Sequence, residues 1–315
     1  MTLLYFDNDF LKHDTGNHCE NRTRLTAIIE RLESLGLLEQ CERPSWKALS
    51  RQQVQTVHTP QHVEHIASVC NAGGGRLDAD TIVSDQSFDV ACLAAGAVVD
   101  AVERVVRGEQ RTALCLVRPP GHHALADSAM GFCLFNNVAL GARFAVDQLG
   151  LSRVLIVDWD VHHGNGTQAI FWRDYNVAFF SLHRFPFYPG TGLANDVGEG
   201  EGTGTIFNLP IQFGTPADMQ LQMFEEKLNE FAAEIQPQLI LISAGFDSHR
   251  DDPIGSLGWD SADFSKATAL VTEVARVYAS GRVVSVLEGG YNTQALAESV
   301  GLHLASLLEF EAEIR

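Results

Sequence analysis

The segment VDWDVHHGNG, residues 157–166, sets Asp158, Asp160, His162 and His163 within six positions, directly behind the apolar run RVLI. Buried carboxylates and imidazoles are costly unless each is paired or binds a metal. In extended chain Asp158, Asp160 and His162 share parity and would project to one face. An Asp and a His on one face, joined by one more oxygen ligand, make a zinc site with an open catalytic position. Asp247, shortly behind the apolar run QLILI, is the natural third ligand. The competing reading makes Asp160 and Asp247 helix caps and His162 a core histidine. Taken as a set, the three favour metal.

RPPGHH, residues 118–123, delivers His122 and His123 behind the rigid turn Pro119-Pro120-Gly121. Adjacent imidazoles serve as general acid and base, as metal ligands or as plain loop residues, and the local sequence leaves all three open. Asp158 is a candidate carboxylate for orienting one of them. In EGGYN, residues 288–292, two glycines allow a sharp turn that presents Tyr291. Its hydroxyl would polarise a carbonyl in a transition state, or else sit in water above a packed ring.

These groups act together only if several strand ends meet. Apolar or β-branched runs at 3–6, 112–117, 153–158, 177–182, 205–211, 238–243 and 282–288 read as strands covered on both faces. Helical period marks 21–36, 87–107, 134–149, 262–280 and 293–310. It also marks the segment behind Thr215, an expected N-cap, and Pro216, in which Leu221, Phe224, Leu228, Phe231 and Ile235 share a stripe. The alternation predicts an α/β fold: one domain over 1–315, with a mostly parallel, doubly wound sheet and helices on both faces. Such sheets bind ligands beyond the carboxyl ends of their strands, where RPPGHH, DWDVHHGNG, SAGFDSHRDDP and EGGYN fall. The Gly-rich pieces 73–75 and 198–204 read as surface loops.

A net charge of −18, from 22 basic and 40 acidic residues, argues against the basic footprint of a direct nucleic-acid binder. Apolar residues at 45% and a mean hydropathy of −0.01 fit a soluble globular chain. No apolar run reaches membrane-spanning length, and MTLLYFDNDF lacks the features of a signal peptide. Cys19, Cys41, Cys70, Cys92, Cys115 and Cys133 are scattered without a CxxC pair, which points to free thiols in a reducing, cytoplasmic setting.

In order, RPPGHH, GFCLFNN (131–137), VDWDVHHGNGTQ, SLHRFPFYPGTG (181–192), SAGFDSHRDDP and EGGYN resemble the histone deacetylase family. The likeness is to its class II-like branch and the bacterial histone-deacetylase-like amidohydrolases, and it runs from HDTGNHCENR (13–22) to the last helix. It implies an arginase/deacetylase fold and a zinc-dependent amidohydrolase acting on acyl-lysine in protein or peptide, or on a small acylated amine. By this resemblance Asp160, His162 and Asp247 hold one zinc ion. His123 is the general base that later protonates the leaving amine, and His122 is paired with Asp158. Asn165 partners His123 where class I relatives carry Asp, so this imidazole's pKa should be less raised. Tyr291 polarises the carbonyl. Phe132 and Tyr188 wall the acyl-lysine tunnel, with Gly131, Ile254 and Gly289 as further substrate-binding positions. Asp158, Asp160, His162, Ser181 and Leu182 match a structural potassium site, and Arg22 resembles an arginine lining an internal acetate channel.

Two departures stand out. Cys19 replaces the usual Pro of the entrance loop, which should loosen it, and Ile254 stands where polyamine-selective relatives carry a gatekeeping Glu. An acetylpolyamine or small-metabolite deacetylase is the nearest alternative. Rivals from other classes are a two-manganese ureohydrolase, disfavoured by the histidines and Asn165, and a non-catalytic acyl-lysine-binding protein, disfavoured by the complete set of polar groups.

Overall fold

The computed structural model describes residues 1–314. Its strands are β1 (Thr2–Tyr5), β2 (Cys41–Glu42), β3 (Gly74–Arg76), β4 (Ile82–Ser84), β5 (Thr112–Cys115), β6 (Val154–Asp158), β7 (Val177–Arg184), β8 (Ile206–Ile211), β9 (Leu239–Ala244) and β10 (Val283–Leu287). Eight of them form one sheet in the order β2-β1-β5-β10-β9-β6-β7-β8, with every neighbouring pair parallel. All residues of β5, β6, β9 and β10 are buried. Successive side chains alternate between faces, so complete burial means that both faces are covered.

The helices are α1 (Thr23–Ser34), α2 (Arg51–Val54), α3 (Pro60–Asn71), α4 (Ser87–Arg107), α5 (Asn137–Asp147), α6 (Asn165–Phe171), α7 (Ala217–Ile235), α8 (Ser261–Tyr278) and α9 (Thr293–Glu313). α4 packs on α5, while α1, α9, α8 and α7 pack in succession as a second group. Among the described residues, no helix is long and apolar enough to cross a membrane.

All seven expected strands form, and the six expected helices form within a few residues of their predicted ends. Two expectations need correction. Gly74 and Gly75 belong to β3, which pairs antiparallel with β4, and are not a free loop. α7 begins one residue later than expected: Pro216 occupies the N-cap, and the Thr215 hydroxyl donates to the Gln212 carbonyl at 2.8 Å. β2, β3, β4, α2, α3 and α6 lie outside the expected elements. The segment 198–204 is a loop with a single 3-10 turn.

Candidate active site

β5, β10, β9 and β6 are consecutive neighbours at the centre of the sheet, so the four chemically loaded strand ends lie side by side. The chain order reverses between β9 and β6, the kind of switch point at which α/β sheets open a crevice. β6 stops at Asp158. Beyond it the chain is not extended, which corrects the parity argument. The Asp158 carboxylate accepts from the Asp160 amide at 3.1 Å, and the Asp160 carboxylate accepts from the His162 amide at 2.9 Å. These two consecutive Asx turns aim the side chains.

They bring Asp160 and His162 to Asp247, whose ligand atoms together with theirs all lie within 4.8 Å of one another. His162 Nδ1 is 2.9 Å from Asp160 Oδ1 and 3.2 Å from Asp247 Oδ2. Asp247 Oδ1 accepts from the Val161 amide, whereas the buried Oδ2 accepts no hydrogen bond. The Gly289 amide donates to Asp160 Oδ2 at 2.9 Å, and a Cβ at Gly289 would sit 2.2 Å from Asp247 Oδ2. Only glycine permits that approach. Burial, then the charge of Asp160, pushes the Asp247 carboxyl up to about 7. Burial opposes protonation of His162, but the neighbouring carboxylates outweigh it and lift the imidazole to about 9. An orphaned carboxylate oxygen and three converging O and N donors are what a zinc-like cation requires, and binding it would release these protons.

His122 and His123 lie beside the triad with ring centroids 4.0 Å apart and planes tilted by 41°. His122 Nδ1 lies 3.0 Å from Asp158 Oδ2, and its Nε2 lies 3.8 Å from Asp160 Oδ1. Burial disfavours its charge, yet Asp160 and Asp158 hold it well above the ordinary imidazole value. His123 is held well below that value by burial and then by the charges of His122 and His162. Its Nδ1 is 2.7 Å from Asn165 Oδ1, while the amide nitrogen of Asn165 donates to Met130 Sδ at 3.2 Å. Asn165 therefore presents oxygen, His123 Nδ1 carries the proton, and Nε2 is left as an acceptor. The bond to Asn165 favours the charged form of His123 but is outweighed by burial and the two neighbouring imidazoles.

A cavity of about 150 Å³ leads to this cluster, lined by Asp80, His123, Gly131, Phe132, His162, Phe187, Tyr188, Ile254 and Tyr291. Phe132 packs edge-on against Tyr291 at 5.7 Å, and Tyr188 packs edge-on against His123 at 5.3 Å. Phe132 has φ of 69°, a costly conformation for an aromatic residue, and the preceding Gly131 has no room for a Cβ beside the His123 ring. Burial pushes the Tyr291 phenol well above its ordinary pKa, so it remains a proton donor.

Several residues depart from the sequence reading or were absent from it. Arg22 is half-exposed and pairs with Asp14 at 2.9 Å, so it lines no internal channel. The interior arginine is Arg24, which is fully buried, donates to the Gly290 and Glu288 carbonyls and lies 5.0 Å from the Tyr291 ring. Cys19 does not free the entrance loop: His18 Nδ1 accepts from the Glu20 amide, and Asn21 Nδ2 donates to the His18 carbonyl at 2.7 Å. Phe187 stacks on His162 at 5.2 Å, backed by the Arg184 guanidinium, 4.2 Å from its ring. Ser181 pairs in register with Asp158, and Leu182 follows it on β7. His163 stands apart, bonded to Thr191 and Gln168.

Comparison with known proteins agrees with this geometry. Residues 18–307 match the histone deacetylase domain. The chain is 38% identical over 315 residues to the histone deacetylase-like amidohydrolase of Pseudomonas aeruginosa, covering 92% of this chain and 82% of that one. It is 41% identical over 301 residues to the human polyamine deacetylase HDAC10, covering 92% of this chain but only 44% of the longer relative. The crystal structure of the HDA15 HD domain superposes with a TM-score of 0.91 at 34% identity, over 98% of this chain and 89% of that one. With all but the two ends of its sequence matched and the fold shared throughout, the chain belongs to the histone deacetylase family.

Proposed function

We propose that this protein is a zinc-dependent amidohydrolase that removes acetyl, or another acyl group, from acyl-lysine side chains. The observation that carries the reading is the meeting of the Asp160–His162–Asp247 triad, the His122–His123 pair and Tyr291 at the floor of one aromatic-walled cavity. Zinc held by the triad would supply Lewis-acid polarisation of the acyl carbonyl and acidify the attacking water. His123, neutral and with Nε2 open, takes the proton from that water and returns it to the leaving amine. His122, charged against Asp158, keeps His123 neutral until that transfer and stabilises negative charge nearby. The Tyr291 hydroxyl donates to the developing oxyanion. Phe132 and Tyr188 enclose the methylene stem of the lysine and exclude water.

A structural potassium ion would be held by Asp158, Asp160, His162, Ser181 and Leu182, through carboxylate, hydroxyl and main-chain oxygens. The six unpaired cysteines support a reducing, cytoplasmic setting.

One observation favours a cationic acylated amine, such as an acetylpolyamine, as the alternative substrate: Asp80 places a carboxylate in the cavity lining. Against it, Ile254 at the same cavity is apolar. Turnover of acetyl-lysine peptides, longer acyl-lysines and acetylpolyamines, compared by kcat/KM, separates the two. Acetate release from the peptide, abolished by a hydroxamate chelator, is the expected result. No chelator-sensitive release from any acylated amine would favour a non-catalytic acyl-lysine-binding protein.

A further inference from the structure

Asp252 lies outside the cavity lining, yet its carboxylate accepts four backbone hydrogen bonds. Oδ1 accepts from the Ile254 and Gly255 amides at 2.9 and 3.0 Å, a local Asx turn. Oδ2 accepts from the Tyr291 and Asn292 amides at 2.7 and 3.3 Å, across to the loop behind β10. We propose that Asp252 is a positioning residue that joins the cavity-rim residue Ile254 and Tyr291 into one rigid unit, fixing where the tyrosine hydroxyl points. This inference rests on the deacetylase reading of Tyr291.

The need for such a residue follows from the loop. Tyr291 comes after Gly289-Gly290, and Gly290 has φ of 118°, a conformation open to glycine and rarely adopted by other residues. Arg24 holds the loop from one side through the Glu288 and Gly290 carbonyls. Asn292 holds the other side by capping α9 at the Ala295 amide and donating to the Asp251 carbonyl. Between these anchors, the Tyr291 amide has Asp252 as its partner. A carboxylate offers two acceptor oxygens, and its bonds to amide N–H groups are charge-assisted. Displacing a catalytic group by about 1 Å costs on the order of 10²-fold in rate.

The test is Asp252→Asn. The amide keeps one acceptor oxygen for the local turn and loses the second, which serves the Tyr291 side. The expected kcat for an acetyl-lysine peptide falls roughly 10- to 100-fold while KM changes less than about threefold. Zinc content stays at wild-type level. In a Tyr291→Phe background the same substitution should cost less than about twofold, because the group it positions is already gone. Hydrogen exchange gives a readout that needs no turnover: protection of the Tyr291 and Asn292 amides should be lost in Asp252→Asn while α9 stays protected. Wild-type kcat in Asp252→Asn, a full additional loss in the double variant, or unchanged protection of those two amides overturns the proposal. A wild-type protein inactive on every acylated amine instead overturns the reading of Tyr291, and the exchange result then decides the positioning claim alone.

Discussion

Glu20, Arg24 and Arg118 form one fully buried ionic cluster, and Asp158, Asp160, Asp247 and Glu288 form another. Arg118 donates to both oxygens of Glu20, and Arg24 Nη1 donates to it at 3.1 Å. The remaining guanidinium groups reach the Phe10, His13, Glu288 and Gly290 carbonyls. Burial works against the Glu20 charge, but Arg118 outweighs it and holds the carboxyl well below the usual range. The one carboxylate of this cluster is more than compensated within the chain, by two guanidinium groups. In the other, four carboxylates face two imidazoles, His122 and His162, and none forms an ion pair with a lysine or arginine among the described residues. With His122 charged and His162 neutral, as a metal ligand must be, three negative charges are left over, more than one divalent cation offsets. Burial accordingly pushes Glu288 and Asp247 up to about 7. The contrast separates a cluster that serves the fold from one that, on the proposed reading, takes an ion from outside.

The sharpest way to break the comparison is to remove one anion from each cluster. Glu20→Gln leaves two buried guanidinium groups without a counter-charge and should destabilise the protein by about 3–5 kcal/mol in denaturant unfolding. Asp247→Asn should abolish stoichiometric zinc binding and acetate release. Metal-free Asp247→Asn should nevertheless unfold no more easily than metal-free wild type, since it relieves a buried charge repelled by Asp160 and keeps an oxygen for the Val161 amide. Equal destabilisation by the two substitutions would erase the distinction. Zinc at about 100 times its Kd should stabilise wild type by about 2.7 kcal/mol, and Asp247→Asn not at all.

A further test is a pH dependence. Glu288 has a folded pKa raised from 4.5 to about 7. Its contribution is fully present below the unfolded value and is lost as pH rises through the folded one. Metal-free Glu288→Gln should therefore gain stability over metal-free wild type progressively between these two values and level off above them. Unfolding curves at fixed pH steps give the difference directly, and a constant offset would contradict it.

The balance of the two clusters also explains what was legible in the sequence. Continuous apolar runs marked the central strands, because strands buried on both faces need such runs. β2 has two residues and β3 carries two glycines, so neither shows a periodicity. α3 did carry a signal: Thr59 caps it, Pro60 opens it, and Val63, Ile66, Ala67 and Cys70 fall on its buried face. The triad was legible because its residues sit within a few positions of apolar runs. The reason first given for their convergence failed, since Asx turns and not strand parity aim Asp160 and His162. Arg24 was missed in favour of Arg22. Residues two apart on a helix face different ways, and phasing against the buried Leu25, Ile28 and Leu32 would have selected Arg24. Glu20–Arg118 and Glu288–Gly121 pair across 98 and 167 residues, distances no local pattern reports.

The central claim is that the uncompensated cluster holds one zinc ion that drives amide hydrolysis. Metal-free protein titrated with zinc, with acetate release from an acetyl-lysine peptide followed throughout, tests it most directly. Activity should rise from zero and saturate at one zinc per chain. Saturation only at two manganese ions with hydrolysis of a guanidino compound, or zinc binding without acetate release, would contradict it.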